Sequence, residues 1–353
     1  MTARSLHLSR RTAVAIAISL LLVAAVAIVR WPGGAAAGPS ARSGNTGIVA
    51  RPFAQLQEPP AADEALPVPE SPAFDRRGDL YWVTVWGYQG FSLFRLDMDS
   101  RQSEGVAVTD PADPDWAPAF VAIAFHRDGS LYAADFAGQR IVRIDTRTWT
   151  STDVVTRADT GAETFYPDDL AFDRQGNLYI TDLQGDVTDP KGKVYRYSAA
   201  GELSVVADRL AAPNGVALSP DEHQLWVSEY HSNRLLRMDL AEDGGVVENP
   251  YFRVIEVIAN FSGPGLPDSL KVDSGNNLYQ AFYRGGRLQV LSEYGDHLAD
   301  VTLAGGPEDY RQTTNLVIEP RTRNAYLIAG GEGGARLYSF RALGRGPVPF
   351  SHS

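Results

Sequence analysis

Cysteine is absent from this 353-residue chain, and its absence excludes several kinds of chemistry. No disulfide can stabilise the fold, and no thiolate can act as a nucleophile or bind a soft metal ion. The chain also lacks a Gly-x-Ser-x-Gly sequence, the usual signature of the nucleophile in Ser-His-Asp hydrolases of the α/β class. Catalysis by this chain would therefore depend on carboxylates, amides, hydroxyls or its six histidines.

Positive charge is also scarce. Lysine occurs only as Lys191, Lys193 and Lys271, and the formal net charge is −11. A chain of this sign repels a phosphate backbone, so the composition argues against nucleic acid as a partner.

The first 38 residues are typical of a signal peptide or a membrane anchor. Three arginines, at positions 4, 10 and 11, precede an uncharged apolar stretch over residues 12–29, which is just long enough to span a bilayer. Because the arginines precede this stretch, both interpretations place the rest of the chain outside the cytoplasm. We therefore expect a periplasmic or secreted protein, or one held on the outer side of the cytoplasmic membrane through residues 12–29 if they are not removed.

Residues 39–67 are rich in Ala, Gly, Pro and Ser and show no apolar period. A segment of this composition cannot bury a core, so a flexible linker is predicted.

One sequence pattern recurs six times in the remainder of the chain. Examples are YPDDLAFDRQGNLYITD, beginning at Tyr166, and APNGVALSPDEHQLWVSE, beginning at Ala212. Each copy has two β-rich runs joined by a polar turn, followed by a third run and often a fourth. The copies align on one apolar anchor position: Leu80, Leu131, Leu178, Leu225, Leu278 and Ala325.

The anchors are 47–53 residues apart, and repetition at about this period is typical of propellers. Six units of four antiparallel strands predict an all-β fold, a six-bladed β-propeller over residues 68–345, followed by a C-terminal tail over residues 346–353. Closing the blades into a ring would leave few open sheet edges.

Polar residues occupy one equivalent position in five of the six repeats, ten residues before the anchor or eleven in the fourth repeat. The second repeat has Val121 there, and the five polar residues are Glu70, Asp168, Asn214, Asp268 and Asn315. The first strand of each propeller blade lines the central channel, so these side chains are expected to form a ring around the axis.

Three carboxylates in such a ring cannot all stay ionised without a counter-charge. Carboxylate and amide oxygens without His or Cys suit Ca²⁺, with Mg²⁺, Mn²⁺ or Zn²⁺ as substitutes. The alternative is that Asp and Asn precede strands merely as turn-forming residues. Glu70 favours the metal site, because Glu is not a turn former and yet occupies the same register.

A second set of carboxylates comes four residues after the anchors, at the ends of the second strands: Asp135, Asp182 and Glu229. They could orient metal ligands or transfer protons, or they could be satisfied by neighbouring backbone. His231 follows the same strand in the fourth repeat and could reach the same face, whereas His126 and His223 lie in turns on the opposite face.

Three segments, PESPAFDRRGDLYWV, PNGVALSPDEHQLWVSE and PDSLKVDSGNNLYQAFYRGGRLQVL, resemble the SMP-30/gluconolactonase/luciferin-regenerating family of six-bladed propellers. The resemblance extends from about Glu70 to Arg341, and the Pro-Asp-Ser form is similar to lactonases of the drug-responsive protein 35 type. It implies a divalent cation, usually Ca²⁺, on the channel axis and hydrolysis of lactones or related esters. The metal ligands that it implies are Glu70, Asp168, Asn214 and Asp268, and it adds Ser269 to the site.

One departure from the family pattern concerns the substrate. Tyr166 stands where the sugar-lactone hydrolases of the family tend to carry an arginine that holds sugar hydroxyls. A sugar lactone is therefore less favoured, and Tyr166 becomes a candidate for substrate contact.

The resemblance suggests Asp268 as the base that activates water, with Asp168 second in that role, while a cation polarises the carbonyl. Ser269, Asn315 and the carboxylates at the ends of the second strands would support ligands or substrate. The expected partner is a small lactone or ester, and the chain is expected to be a monomer or weak oligomer.

Other readings stay open. The main alternative is a non-catalytic binding or sensor propeller stabilised by Ca²⁺, because a fold does not prove an activity. Strictosidine-synthase-like chemistry would need a catalytic Glu that cannot be placed in this sequence. A sugar dehydrogenase would need a basic quinone-binding cluster that the ring does not offer.

Overall fold

The computed structural model describes residues 46–61, 64–248 and 254–352. This part of the chain contains 24 β-strands, one short helix, α1 (Arg157–Thr160), and one 3-10 turn, Phe350–His352. The fold is therefore all-β, as the sequence predicts. None of the described helices is long and apolar enough to cross a membrane, and the predicted signal or anchor, residues 1–38, lies outside the described residues.

Sixteen of the strands form four antiparallel sheets of four strands each, in which neighbours in sequence are neighbours in space. In chain order they are β2 (Pro69–Phe74), β3 (Leu80–Tyr88), β4 (Phe91–Leu96) and β5 (Ser103–Val106); β6 (Phe120–Phe125), β7 (Leu131–Asp135), β8 (Arg140–Asp145) and β9 (Thr150–Thr156); β10 (Pro167–Phe172), β11 (Leu178–Asp182), β12 (Gly192–Tyr197) and β13 (Leu203–Leu210); β14 (Pro213–Leu218), β15 (Gln224–Glu229), β16 (Arg234–Asp239) and β17 (Ile255–Asn260).

The other eight strands form a single sheet. It contains β1 (Thr46–Gln57), β18 (Leu266–Val272), β19 (Leu278–Tyr283), β20 (Arg287–Leu291), β21 (His297–Leu303), β22 (Gln312–Ile318), β23 (Asn324–Gly331) and β24 (Gly334–Arg341). Their order across the sheet is β18-β19-β20-β21-β1-β24-β23-β22.

Strand β1 corrects the prediction of a flexible linker over residues 39–67. Its first part, Thr46–Ala50, pairs in parallel with β21, and its second part, Arg51–Gln57, pairs antiparallel with β24. The sixth repeat has three strands of its own, β22 to β24, so its outer edge would be open without this partner. An exposed edge has unpaired backbone N–H and C=O groups. Residues 51–57 pair with these groups on β24, and this pairing orders the segment although its composition by itself indicates a linker.

The repeat anchors explain the hydrophobic packing. Strands β3, β7, β11 and β19 begin at their anchor leucine, and all five anchor leucines are fully buried. The turns that precede the anchors follow the predicted chemistry. In the third repeat, Asp173 accepts a hydrogen bond from Asn177 N at 2.8 Å, and Gly176 adopts the left-handed φ of +91° that the turn requires.

The first strands of the repeats, β2, β6, β10, β14, β18 and β22, contact one another in a closed ring. The fold is therefore propeller-like, with the first strands innermost. At the turn end of this ring the C-terminal residues pack against the chain: Phe350 contacts the rings of His126 and Phe172, and His352 Nε2 lies 3.1 Å from Asp75 O.

Candidate active site

A β-bulge interrupts the pairing of each first strand with its second strand, close to the predicted ring residue. The register shifts lie between Pro167 and Leu170, between Pro213 and Val216, and at the matching places in β2, β6, β18 and β22. A bulge places extra residues opposite the partner strand and redirects their side chains. The repeated bulge therefore explains why polar residues at these positions can face the channel.

Hydroxyl groups of the neighbouring repeats fix the backbone at these bulges. Thr181 Oγ1 donates to Asn214 O at 2.6 Å, and Ser228 Oγ donates to Asp268 O at 2.6 Å. Gly215 follows Asn214 because a Cβ atom there would lie 2.8 Å from Asp268 O, which is too close for any other residue. The bulges of β14 and β18 are thus held in direct contact.

Burial and repulsion between neighbouring carboxylates both disfavour ionisation at this ring. Burial raises the pKa of Glu70 well above its usual range, and the charges of Asp268, Asp168 and Asp169 raise it further. Burial likewise raises the pKa of Asp168 to about 8, with Asp169 adding to the shift. The ring therefore holds more negative charge than its surroundings compensate.

Asp268 has the same environment. Burial raises its pKa well above the usual range, followed by repulsion from Asp168, while the Ser269 N–H and the Asn214 amide partly oppose the shift. The charges of Asp168 and Asp268 thus act on the pKa of Glu70, and the charge of Asp168 acts on that of Asp268.

Asn214 contributes an oxygen without a partner. Its Oδ1 is buried and accepts no hydrogen bond, and the Nδ2 of Asn315 is also buried without an acceptor. The oxygen of Asn315 is engaged, because Leu316 N donates to it at 2.8 Å. A buried oxygen without a donor beside uncompensated carboxylates fits a cation as its missing partner.

Within the residues that the structure describes, no three side chains of the His, Cys, Asp and Glu types lie close enough together to enclose a metal ion. Carboxylate and amide oxygens, the donor types of Glu70, Asp168, Asn214 and Asp268, are nevertheless those that a hard ion such as Ca²⁺ prefers.

Asp169 is a site residue that the repeat pattern does not predict. It is almost fully buried, and its Oδ2 lies 3.4 Å from Lys271 Nζ and accepts a hydrogen bond from Val216 N at 3.2 Å. Lys271 thus provides a positive charge within the ring of first strands. The sequence signal for Asp169 is its position in the Asp-Asp doublet with Asp168.

The carboxylates at the ends of the second strands do not join the ring. Asp182 accepts hydrogen bonds from Tyr166 N at 2.8 Å and from Gln184, and burial raises its pKa to about 6. Asp135 accepts from Ala119 N at 3.1 Å.

Glu229 has the same role, since it accepts from Ala211 N at 2.8 Å and pairs with Arg234. Of the two interpretations of these residues, the structure supports satisfaction by neighbouring backbone. They fasten the segments that lead into the first strands.

The remaining predicted residues, Ser269, Tyr166 and His231, differ in their contacts. Ser269 is buried, and its N–H donates to Asp268 Oδ1 at 2.9 Å. Tyr166 is partly buried, with its ring centroid 5.0 Å from that of Phe136. His231 is exposed, and its Nδ1 lies 2.9 Å from Gly185 O, so its described contact is with a loop and not with the ring.

Comparison with known proteins gives the family. The family described as "SMP-30/Gluconolactonase/LRE-like region" matches residues 68–327. A protein of Staphylococcus saprophyticus named Lactonase drp35 is 32% identical over 286 residues, covering 78% of this chain and 84% of that protein. The protein of the same name from Staphylococcus haemolyticus is 31% identical over 296 residues, covering 81% and 86%.

Solved structures agree with the fold. Regucalcin of Agrobacterium tumefaciens, described as a calcium-binding protein, superposes with a TM-score of 0.67 at 17% identity, over 86% of this chain and 99% of that one. A gluconolactonase of Xanthomonas campestris superposes with a TM-score of 0.63 at 20% identity, over 84% and 98%. Together with the sequence matches, these findings show that the chain belongs to the SMP-30/gluconolactonase/LRE-like family.

Proposed function

We propose that this chain is an exported hydrolase that cleaves a lactone or related ester with the help of a divalent cation, most simply Ca²⁺. The observation that carries the proposal is the buried, unpartnered oxygen of Asn214, which lies on the same ring of first strands as the buried carboxylates of Glu70 and Asp268. The names of the relatives, Lactonase drp35 and gluconolactonase, support the reaction class. Export rests on the sequence of residues 1–38.

We also interpret the fold as six blades. The eight-stranded sheet divides into β18–β21 and β22–β24 with β1, and the closed ring of six first strands supports this count. Strand β1 then completes the sixth blade and connects it to the fifth. Within the ring, each of the six first strands contacts two neighbouring first strands.

A cation bound by Glu70, Asp168, Asn214 and Asp268 would polarise the ester carbonyl and offset the charge of the oxyanion. Asp268 accepts a proton from the attacking water as the C–O bond to water forms. The same carboxyl then returns the proton to the leaving oxygen as the ester bond breaks, so that hydroxy acid is released and Asp268 is again ionised. Asp168 is second in this role. Because a bound cation lowers the pKa of a carboxylate and makes it a poorer base, the base would be whichever of the two binds the cation less directly.

The experiment is an assay of the purified full chain on a panel of lactones and aryl esters, before and after removal of metal by chelation. Hydrolysis that is lost on chelation and restored by Ca²⁺ is the expected result. Melting that depends on Ca²⁺ without turnover of any substrate would instead support a non-catalytic binding propeller. If chelation changes neither turnover nor melting, the proposal of a metal site is wrong.

A further inference from the structure

The residue five places after each repeat anchor has an equivalent position at the same end of the ring of first strands. Its backbone pairs with the residue just before or at the start of the first strand: Val85 N donates to Val68 O at 3.3 Å, and Leu183 N donates to Tyr166 O at 2.8 Å. We call these six residues the collar: Val85, Phe136, Leu183, Tyr230, Tyr283 and Gly330.

The collar lies one layer outside the ring. In the first five repeats the backbone partner of a collar residue is two positions before the ring residue, as Val68 is before Glu70 and Tyr166 is before Asp168. Two residues of a strand span about 7 Å. A molecule that reaches the ring from this end must therefore pass the collar.

The first three repeats make one side of this entrance apolar. Val85 and Phe136 of the collar pack in one hydrophobic cluster with Val121, which occupies the ring position of the second repeat. Leu183 and Tyr166 are partly buried members of the same cluster. The apolar side thus reaches from the collar down to the ring, and its partly exposed members leave surface for contact.

The opposite side has hydroxyl groups. The ring centroids of Tyr230 and Tyr283 lie 6.3 Å apart. A phenol is a neutral hydrogen-bond donor at neutral pH. None of the twelve ring and collar positions is Lys, Arg or His, but the guanidinium of Arg284 lies 5.6 Å from the ring centroid of Tyr283, and Lys271 pairs with Asp169.

We propose that Val85, Val121, Phe136 and Leu183 bind the hydrocarbon substituent of a lactone or ester, while Tyr230 and Tyr283 donate hydrogen bonds to its ester group. This inference rests on the proposed function and specifies its substrate class. The hydroxyls of a sugar lactone would lie against the apolar side without hydrogen-bond partners, which costs binding free energy. An alkyl chain gains free energy there through the removal of its surface from water.

The test is a series of γ-lactones with alkyl substituents of increasing length, compared with glucono-δ-lactone, on the full chain with Ca²⁺. Each added methylene should raise kcat/KM by about threefold to fourfold until the apolar side is filled. Glucono-δ-lactone should be a poorer substrate than the longer alkyl lactones. Leu183→Gln and Phe136→Gln should each reduce the increase per methylene, whereas Val205→Gln, at a position 47% exposed on the outer strand β13, should leave it intact.

Binding of the matching alkyl γ-lactams, which are not cleaved, is measured by calorimetry in parallel. Turnover of lactones without dependence on chain length, or with preference for glucono-δ-lactone, would overturn this inference and leave the proposed function standing. Failure to cleave any lactone would overturn the proposed function, and lactam binding then decides about the apolar side. Lactam affinity that rises with the length of the alkyl chain supports binding by the apolar side, and lactam affinity that does not rise contradicts it.

Discussion

At the scale of single residues, the surroundings of Asp268 disfavour its ionised form. Asp268 is 4% exposed, and the charges of Asp168 and Asp169 raise its pKa. A buried carboxyl with a raised pKa stabilises the fold less when it is ionised than when it is protonated. Such an arrangement is costly in a residue with only a structural role, and it is typical of sites that bind a charge of opposite sign.

Asp268→Asn removes one of these charges and keeps the shape of the side chain. Turnover should fall by about 10²- to 10⁴-fold, the usual contribution of a general base. The metal-free variant should nevertheless unfold at a higher temperature than the parent at pH 7, because repulsion within the ring decreases. Kinetics and thermal melts with chelator check both effects. Asp208→Asn, on the exposed face of β13, is the control and should change neither.

Asn214→Leu replaces the unpartnered oxygen with a side chain of similar size that cannot bind a cation. Affinity for Ca²⁺ should fall by about tenfold or more, since one coordinating oxygen is lost at a site that has few. Calorimetry of the metal-free protein measures this change. Ca²⁺ affinity equal to that of the parent would exclude Asn214 as a ligand.

Counting along the repeats predicts the ring, because each repeat keeps nearly the same number of residues between its bulge and its anchor. The same counting does not predict Asp169. Neighbours in a regular strand point to opposite faces, so Asp168 alone should face the channel, but the bulge after Pro167 breaks this alternation. Which residues a bulge redirects depends on backbone geometry, and the pattern of residue types does not specify it.

At the scale of elements, the two ends of the described chain stabilise the ring of repeats. Strand β1 pairs with both β21 and β24, and the C-terminal residues contact the turns between first and second strands. Gly346 N donates to Thr322 O, Arg76 donates to Ser351 O, and Phe350 lies against His126. The tail therefore bridges turns of several repeats at the end of the ring away from the collar.

Phe350→Ala should lower the free energy of unfolding by about 3 kcal/mol, the usual cost of removing a buried aromatic side chain. The Phe350 ring lies 4.8 Å from His126 and 5.4 Å from Phe172 between centroids, and the guanidinium of Arg127 stacks on it at 4.6 Å. Urea unfolding measures the effect. Val348→Ala, at an exposed position two residues earlier, should cost less than about 1 kcal/mol, and equal costs would show that Phe350 does not fasten the tail.

His352 should make stability sensitive to acid. Burial lowers the pKa of His352, and Arg76 and Arg321 lower it further, against the effects of Asp75. The folded state therefore favours the neutral imidazole, so the stabilisation is complete above the ordinary histidine pKa of about 6.5. It is lost as the pH falls through the lowered pKa, because the unfolded chain then binds the proton more readily.

Unfolding in urea at about pH 7.5 and pH 5 tests this effect. The loss of stability on acidification should be smaller in His352→Gln than in the parent. His223→Gln, in a turn of the fourth repeat, serves as the matched control and should behave like the parent. An identical loss in all three proteins would contradict a role for His352.

The sequence predicts the repeats and their strands because turn chemistry and apolar runs are local. It does not predict β1, since Thr46–Gln57 has no partner near it in the chain. Its partners are β21 and β24, more than 200 residues away. Pairing over such a distance depends on the closure of the whole ring and leaves little trace in local composition.

At the scale of the whole molecule, the negative charge of the chain and the closure of the ring of first strands both link metal binding to stability. The chain has a net charge of −11, and the ring of first strands carries Glu70, Asp168 and Asp268. A closed ring cannot relieve their repulsion by moving one repeat away from its neighbours. Neutralisation by a cation would relieve this repulsion, so metal binding and stability of the fold should be linked.

Calorimetric titration of Ca²⁺ into the metal-free full chain tests this claim most directly, with Glu70→Gln/Asp268→Asn titrated in parallel. The parent should bind Ca²⁺ at a site that the double variant lacks, and its unfolding temperature should rise with Ca²⁺ concentration while that of the double variant does not. Equal Ca²⁺ binding by the two proteins, or no binding by the parent, would show that these side chains do not hold a shared ion.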